Sequence, residues 1–450
     1  MNGLSTLIAL FMLMAAGTGL GIALLKHSGK ILLAELLPVA WLLGASFVSL
    51  ALAYLDIFFN GLILQGIVTA ACVGLGLHGL RSLRKKQCTI AWPKPVGALE
   101  KILCAIILIQ FVIVLCLAYR ESLGWDGLLV WEIKARYAFL NGGAMPHRYF
   151  TDSTRVFSHP EYPLLLPLTE TWVYLWIGDC DQFWVRSIFP PFYFAAALLL
   201  YSGASRLTEK KWAGLTAVAL LFFVPFPLIG RWNLLQGYAD FPLAVFYLAS
   251  LVTFLKWQRE PSRAGAVLFA LLAGMLPWMK HEGSVLWACI IAIAFAEFLR
   301  RKKIALALLT PLPGLAVCIG WKIAGKALKT PPGSDFLPIT LDNLRTHFSR
   351  TGPILRCLRN ELVNFGNWSI LWIILPLAIA CLMLRGNKKT GKQLFVATVL
   401  PLALYSAVYI LSSWPQYMNH IQVSLPRLVL QVSLPALIAV SLALNDCARR

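Results

Sequence analysis

Long apolar runs alternate with short polar breaks along almost the whole chain. The runs fall near 4–25, 31–55, 59–80, 102–119, 187–205, 212–230, 241–255, 264–279, 284–299, 304–324, 366–384, 393–411 and 428–444. Each approaches the roughly 20 residues that an α-helix needs to cross about 30 Å of hydrocarbon. The pattern predicts about thirteen transmembrane helices and an all-α polytopic membrane protein. The first run lacks a basic leader and a small-residue cleavage site, and reads as a retained span rather than a removed signal. One stretch breaks the rule. Between 128 and 140, apolar residues at 128, 129, 133, 137 and 140 form a helical stripe, flanked by Trp125 and Trp131. That predicts a helix lying along the membrane surface.

Composition agrees. Of 450 residues 59% are hydrophobic and 13% charged, with a mean hydropathy of +0.72; soluble domains hold about 25% charged residues. A soluble enzyme, a disordered chain and a disulfide scaffold are excluded. The ten cysteines lie mostly in apolar runs. Cys180 and Cys357 alone fall in long outward loops, where a disulfide would be conceivable.

The net charge of +20 acquires meaning once it is divided between loops. Twenty-four of the forty basic residues crowd into alternate short loops: Lys26 and Lys30, the 81–101 cluster with Arg84-Lys85-Lys86, Arg206-Lys210-Lys211, Lys256/Arg259/Arg263, 300–303, 385–392 and Arg449-Arg450. The positive-inside rule puts that set in the cytoplasm, the N-terminus outside and the C-terminus inside. The charge is thus an orientation signal, not a nucleic-acid surface. Thirteen of twenty acids and five of seven histidines then face outward, and candidate chemistry is expected on that side. The longest outward segments are 120–186 and 325–365.

Five outward constellations could carry chemistry. Asp126, in Gly124-Trp125-Asp126-Gly127, sits between aromatic residues and could act as a general base or cap the surface helix. Ser158-His159-Pro160-Glu161-Tyr162-Pro163 is held extended by its prolines and offers hydrogen bonds from His159, Glu161 and Tyr162, or is simply a turn. Arg231-Trp232-Asn233 and Gly237-Tyr238-Ala239-Asp240 share a short outer turn. Lys280-His281-Glu282-Gly283 packs a cation, an imidazole and a carboxylate between two spans, where charges are costly unless paired or functional. The segment 414–427 ends in Arg427, either a bidentate phosphate ligand or an interfacial snorkelling residue, and contains His420. No metal, phosphate-loop or dinucleotide signature occurs; Asp126, Glu161 and Asp240 together would offer oxygen ligands to a hard cation.

In their order and shared side these segments resemble the GT-C superfamily of polytopic glycosyltransferases, in particular bacterial members of the protein-mannosyltransferase and aminoarabinose-transferase type. The resemblance covers 102–300 well, as a catalytic core with the outer loop 120–186. It covers 301–450 through span count and the outer loops 325–365 and 412–427. It implies a bacterial inner-membrane enzyme using a polyprenyl-phosphate sugar, with an envelope glycan, lipid or protein as acceptor, membrane lipids as surroundings and no required cofactor. Asp126 would be the catalytic base. His159, Glu161, Tyr162 and Asp240 would contact acceptor or sugar. Lys280, Arg427, His420 and Arg231 would meet the donor phosphate, with His281 and Glu282 in support. A divalent cation is a secondary option. Two departures stand out: three extra spans in 1–101 precede the first catalytic loop, and the turn at Asp240 has one acid rather than an adjacent pair. A secondary transporter or lipid flippase is the competing reading; it would keep its charges near the bilayer midplane, often on broken helices.

Overall fold

The computed structural model describes residues 1–25, 30–84, 89–91, 97–331, 333 and 335–447. Lys26, Lys85, Lys86, Lys94, Arg449 and Arg450 of the basic set lie outside the described residues, and the side chain of Lys30 is likewise not described. The chain is an all-α polytopic membrane protein, with one short parallel strand pair, Lys30–Leu32 with Thr89–Ala91, joining two of the basic loops. Helices dominate because hydrocarbon offers no partner for backbone N–H and C=O groups, so each segment must satisfy its own.

All thirteen apolar runs contain helix. Among the described residues nine helices are long and apolar enough to cross a membrane, or eleven if each of two bent pairs is one span. The remaining two runs form shorter helices, Arg263–Met279 and Leu371–Leu384. Proline explains the breaks. Lys211–Phe222 and Phe226–Gln236 meet at 42° beside Pro225 and Pro227. Tyr417–Gln431 and Ser433–Cys447 meet at 46°, where the ring of Pro435 opposes the carbonyl of Gln431, four residues back.

Helix burial ranks the architecture. Asp240–Arg259 is central, 89% of its apolar window buried, whereas Gly61–Arg84 and Ala98–Arg120 are peripheral at 17% each. The N-terminal helices are built into this core rather than appended to it. A Cβ on Gly17 would stand 1.7 Å from the Ala40 carbonyl oxygen, and one on Gly44 2.0 Å from that of Leu13. Glycine therefore lets Asn2–Leu25 and Leu33–Leu55 touch backbone to backbone. Leu33–Leu55 then joins the core through Ser49, whose Oγ accepts from Trp278 Nε1 at 3.1 Å.

Contacts between loops sort into two ends, as the charge alternation requires. At one end Glu35 pairs with Arg206 and Lys256, and Glu297 with Arg300, Arg301 and Lys389. At the other end Gly61 bonds Gly142, Leu337 bonds Leu411, and the candidate residues gather. Cys180 and Cys357 are both free thiols, so the disulfide between them is not formed.

Candidate functional site

Glycine assembles the site. The Gly124–Gly127 segment lies against the turn at 236–238: Gly124 N donates to Gln236 O at 2.8 Å. A Cβ on Gly127 would come within 2.1 Å of that same oxygen, and Gly237 adopts φ +84°. The glycines flanking Trp125-Asp126 thus permit a backbone contact that no larger residue allows. It brings Asp126 beside the head of the helix Asp240–Arg259.

There the charges form one chain. Arg427 Nη2 donates to Asp126 Oδ2 at 2.6 Å, and its Nε to Asp240 Oδ2 at 2.9 Å. Lys280 Nζ donates to Asp240 Oδ1 at 2.8 Å and lies 2.9 Å from Glu282 Oε1. The order is Asp126, Arg427, Asp240, Lys280, Glu282, acid and base in alternation. Gln431 Nε2 also donates to Asp240 Oδ1, at 2.6 Å, while Tyr405 OH donates to Gln431 Oε1 at 2.7 Å. The Tyr238 ring faces the Arg427 guanidinium at 5.0 Å. Asp240 is fully buried, but the side chain of Asp126 keeps 18% exposure and that of Arg427 13%. Those figures separate an internal anchor from groups a substrate can reach. Burial alone would lower the Lys280 pKa, yet Asp240 and Glu282 outweigh it and raise it, so the ammonium stays charged.

Several expectations change here. Asp126 makes no side-chain cap; its carboxylate is turned to Arg427. Asp240, expected to touch an acceptor, is fully buried with both oxygens engaged by Lys280, Arg427 and Gln431. Arg231 stays apart, exposed, with its guanidinium over Trp232 at 5.2 Å. His420 occupies a separate pocket, stacked on Trp414 at 4.7 Å, with Nδ1 2.9 Å from Ser412 Oγ. Asp126, Glu161 and Asp240 do not gather as a metal-holding group among the described residues. Both aspartates are turned to Arg427 instead.

Beside the charge chain stands an aromatic stack. Tyr162 lies between Trp131 at 5.6 Å and His159 at 4.7 Å, and meets His281 at 5.0 Å. His159 holds a left-handed φ of 50°, and its carbonyl accepts from Lys134 Nζ at 2.7 Å. His159 Nδ1 lies 3.1 Å from Glu161 Oε1. Although burial opposes charge on both, their contact raises the His159 pKa and lowers that of Glu161. Burial pushes His281 down. The Glu161 carbonyl accepts from Trp321 Nε1 at 2.7 Å, fixing the segment to a neighbouring helix.

The amphipathic segment differs from its predicted stripe. Gly127–Glu132 is a π-helix continuing into the α-helix Ile133–Leu140. The wider turn shifts the register, so Gly127, Val130, Trp131, Lys134, Ala135 and Ala138 face inward. Lys134, missed in the sequence, is therefore fully buried under the stack, 5.3 Å from the Trp131 ring centre. Burial pushes its pKa down to about 7, against the pull of Glu161 and Asp126. Gln431 was also missed, although its i+4 spacing from Arg427 puts both on one helix face.

Glu170 lies deeper in this loop, fully buried, with neither carboxyl oxygen hydrogen-bonded among the described residues. Burial first, then nearby Glu132, raises its pKa well above the usual carboxylate value. The folded protein thus holds a proton there that the unfolded chain releases above pH ~4.5, and this group makes stability fall as pH rises beyond that point. Glu170→Gln should remove that slope, leaving the variant at least as stable as wild type at pH 8. Thermal unfolding in detergent between pH 5 and 8 measures it; an unchanged slope would contradict the protonated state.

No family model, curated protein or solved structure matches this chain.

Proposed function

We propose that this protein transfers a sugar from a polyprenyl-phosphate donor to an envelope acceptor, on the non-cytoplasmic side of a bacterial inner membrane. One observation carries the reading: a reachable carboxylate, Asp126, shares Arg427 with a buried anchor, Asp240, next to Lys280. Glycosyl transfer needs that pairing of a base with cationic leaving-group stabilisation. The resemblance in the order of the outer segments points the same way, with a GT-C-like bundle of thirteen passes in which the two shorter helices also cross.

In this mechanism the acceptor hydroxyl gives its proton to Asp126 and its oxygen bonds the anomeric carbon. The bond from that carbon to the phosphate oxygen breaks, and the electron pair leaves with the lipid phosphate. Arg427 is the reachable cation for that phosphate, competing with Asp126 for the same guanidinium. Donor entry would loosen the Asp126–Arg427 pair and free the carboxylate for the acceptor. Asp240 holds Arg427 and Lys280 in place meanwhile. Their positive charge answers the leaving group, so the reading calls for no cofactor. Trp131, Tyr162 and His159 would line the acceptor side.

Arg427→Lys tests the phosphate assignment. It keeps the charge but loses the planar fork that reaches two partners. Polyprenyl-phosphate affinity, followed by native mass spectrometry, should weaken about tenfold, the scale of one charge-assisted hydrogen bond. Unchanged affinity would remove Arg427 from the donor site.

A transporter is the second reading, favoured by one observation: Arg427 and Gln431 lie just before the 46° break in a bent helix pair. Against it, Asp126, Asp240, Lys280 and Glu282 stand at or just before the first residues of their helices, at one end of the bundle.

A further inference from the structure

The end of the bundle away from the candidate site carries a pair of thiols that glycosyl transfer does not use. Cys381 lies in the last turn of Leu371–Leu384, and Cys447 is the last residue of Ser433–Cys447. The two helices pack side by side. The segment that follows Cys381 contains Lys389, which pairs with Glu297 alongside Arg300 and Arg301. That ion cluster fixes which end this is.

The two sulfurs are brought together by what surrounds them. A Cβ on Gly386 would stand 2.1 Å from Asp446 Oδ2, so glycine lets the chain leaving the first helix close over the residue before Cys447. Leu382 and Asn445, beside the thiols in sequence, are buried and hold both helix ends against the bundle. Cys381 Sγ and Cys447 Sγ then lie 3.7 Å apart, although 66 residues separate them in the chain. A disulfide spans about 2 Å. The remaining gap is within reach of a side-chain rotation at Cys447, which is exposed and ends its helix, while Cys381 is half-buried.

We propose that Cys381 and Cys447 form a reversible disulfide when the protein meets a peroxide, a modification site that fastens the last helix to its neighbour. With hydrogen peroxide as the oxidant, the exposed Cys447 thiolate attacks one peroxide oxygen. The O–O bond breaks, leaving a sulfenic acid and a hydroxide. The Cys381 thiolate then attacks that sulfur, the S–O bond breaks, the S–S bond forms and a second hydroxide leaves. The two hydroxides take up the two thiol protons. Two thiols and one peroxide thus give one disulfide and two waters. In the proposed orientation this end faces the cytoplasm, where thiols are kept reduced, so the bond forms only as oxidant rises. It ties down the second half of the bent pair whose first half carries Arg427.

The test uses the full chain in detergent with hydrogen peroxide, alkylation of the remaining thiols and non-reducing peptide mass spectrometry. The cross-linked Cys381–Cys447 peptide should exceed any other cysteine pair by about tenfold or more, because sulfurs already in contact react as one unit. Dithiothreitol should return both free thiols. Cys447→Ser should abolish the peptide, and Cys180→Ser, in an outer loop, should leave it at the wild-type level. Absence of the peptide from oxidised wild type overturns the proposal. So does Cys447 carried on to sulfinic acid with Cys381 still free, or a bond between two copies through Cys447. None of these readings needs a sugar donor, so they stand or fall apart from the transfer reaction.

Discussion

Asp126→Asn should fold normally and lose turnover by about 100-fold or more, the scale of removing a general base. The amide keeps the size of the side chain, and Arg427 retains Asp240, its buried partner at 2.9 Å, so the site's frame persists. What disappears is the negative charge that takes the acceptor proton. The side chain is the reachable one of the two aspartates, 18% exposed against none for Asp240, so little stability should go with it. Initial rates with a polyprenyl-phosphate sugar, beside a thermal unfolding curve of the same sample, separate the two effects. Wild-type turnover in a folded variant would end the assignment of Asp126 as the base.

Asp240→Ala should do the reverse and strike folding first. Asp240 accepts from Lys280, Arg427 and Gln431 with no water-exposed surface. Deleting it leaves two cations at the head of the most buried span, and breaking a buried pair in this way costs about 3–5 kcal/mol. Glu282 and Asp126 each keep one of those cations company, which sets the expectation at the lower end of the range. Denaturant unfolding in micelles should show a clear drop in midpoint. An unchanged midpoint would mean that Asp240 does not organise the site. The isosteric Asp240→Asn tells packing from charge: a loss as large as in the alanine variant puts the stabilisation in the charge.

The sequence carried the large features because they rest on length and sign. An apolar run of about 20 residues has only one comfortable answer in lipid, and every such run contains helix. Loop charge likewise predicted which loops share an end. Asp126 and Arg427 stand 301 residues apart in the chain, and their meeting was foreseen only as a shared side, not as a contact.

What escaped was local geometry. Prolines 225 and 435 turn two runs into bent pairs, which no hydropathy average registers. One π-helical turn rotates the surface helix, and with it the stripe read from 128 to 140. Lys134, outside that stripe, comes to lie beside the aromatic cluster of Trp131 and Tyr162 as a result. The setting of Asp240 escaped for a different reason: spacing shows that an acid is near the membrane edge, but not that three donors close over it. Arg231 and His420 were grouped with the phosphate cations through the family resemblance. The structure leaves Arg231 on Trp232 and His420 on Trp414.

Consumption of a lipid-linked sugar through Asp126 can be followed directly. The measurement closest to it offers purified wild type and Asp126→Asn a small panel of polyprenyl-phosphate sugars, with envelope extract as acceptor, and follows donor loss by mass spectrometry. If the proposed transfer holds, wild type consumes one donor and Asp126→Asn leaves it almost untouched. Folded wild-type protein that consumes no donor in the panel would contradict it and move the weight to transport.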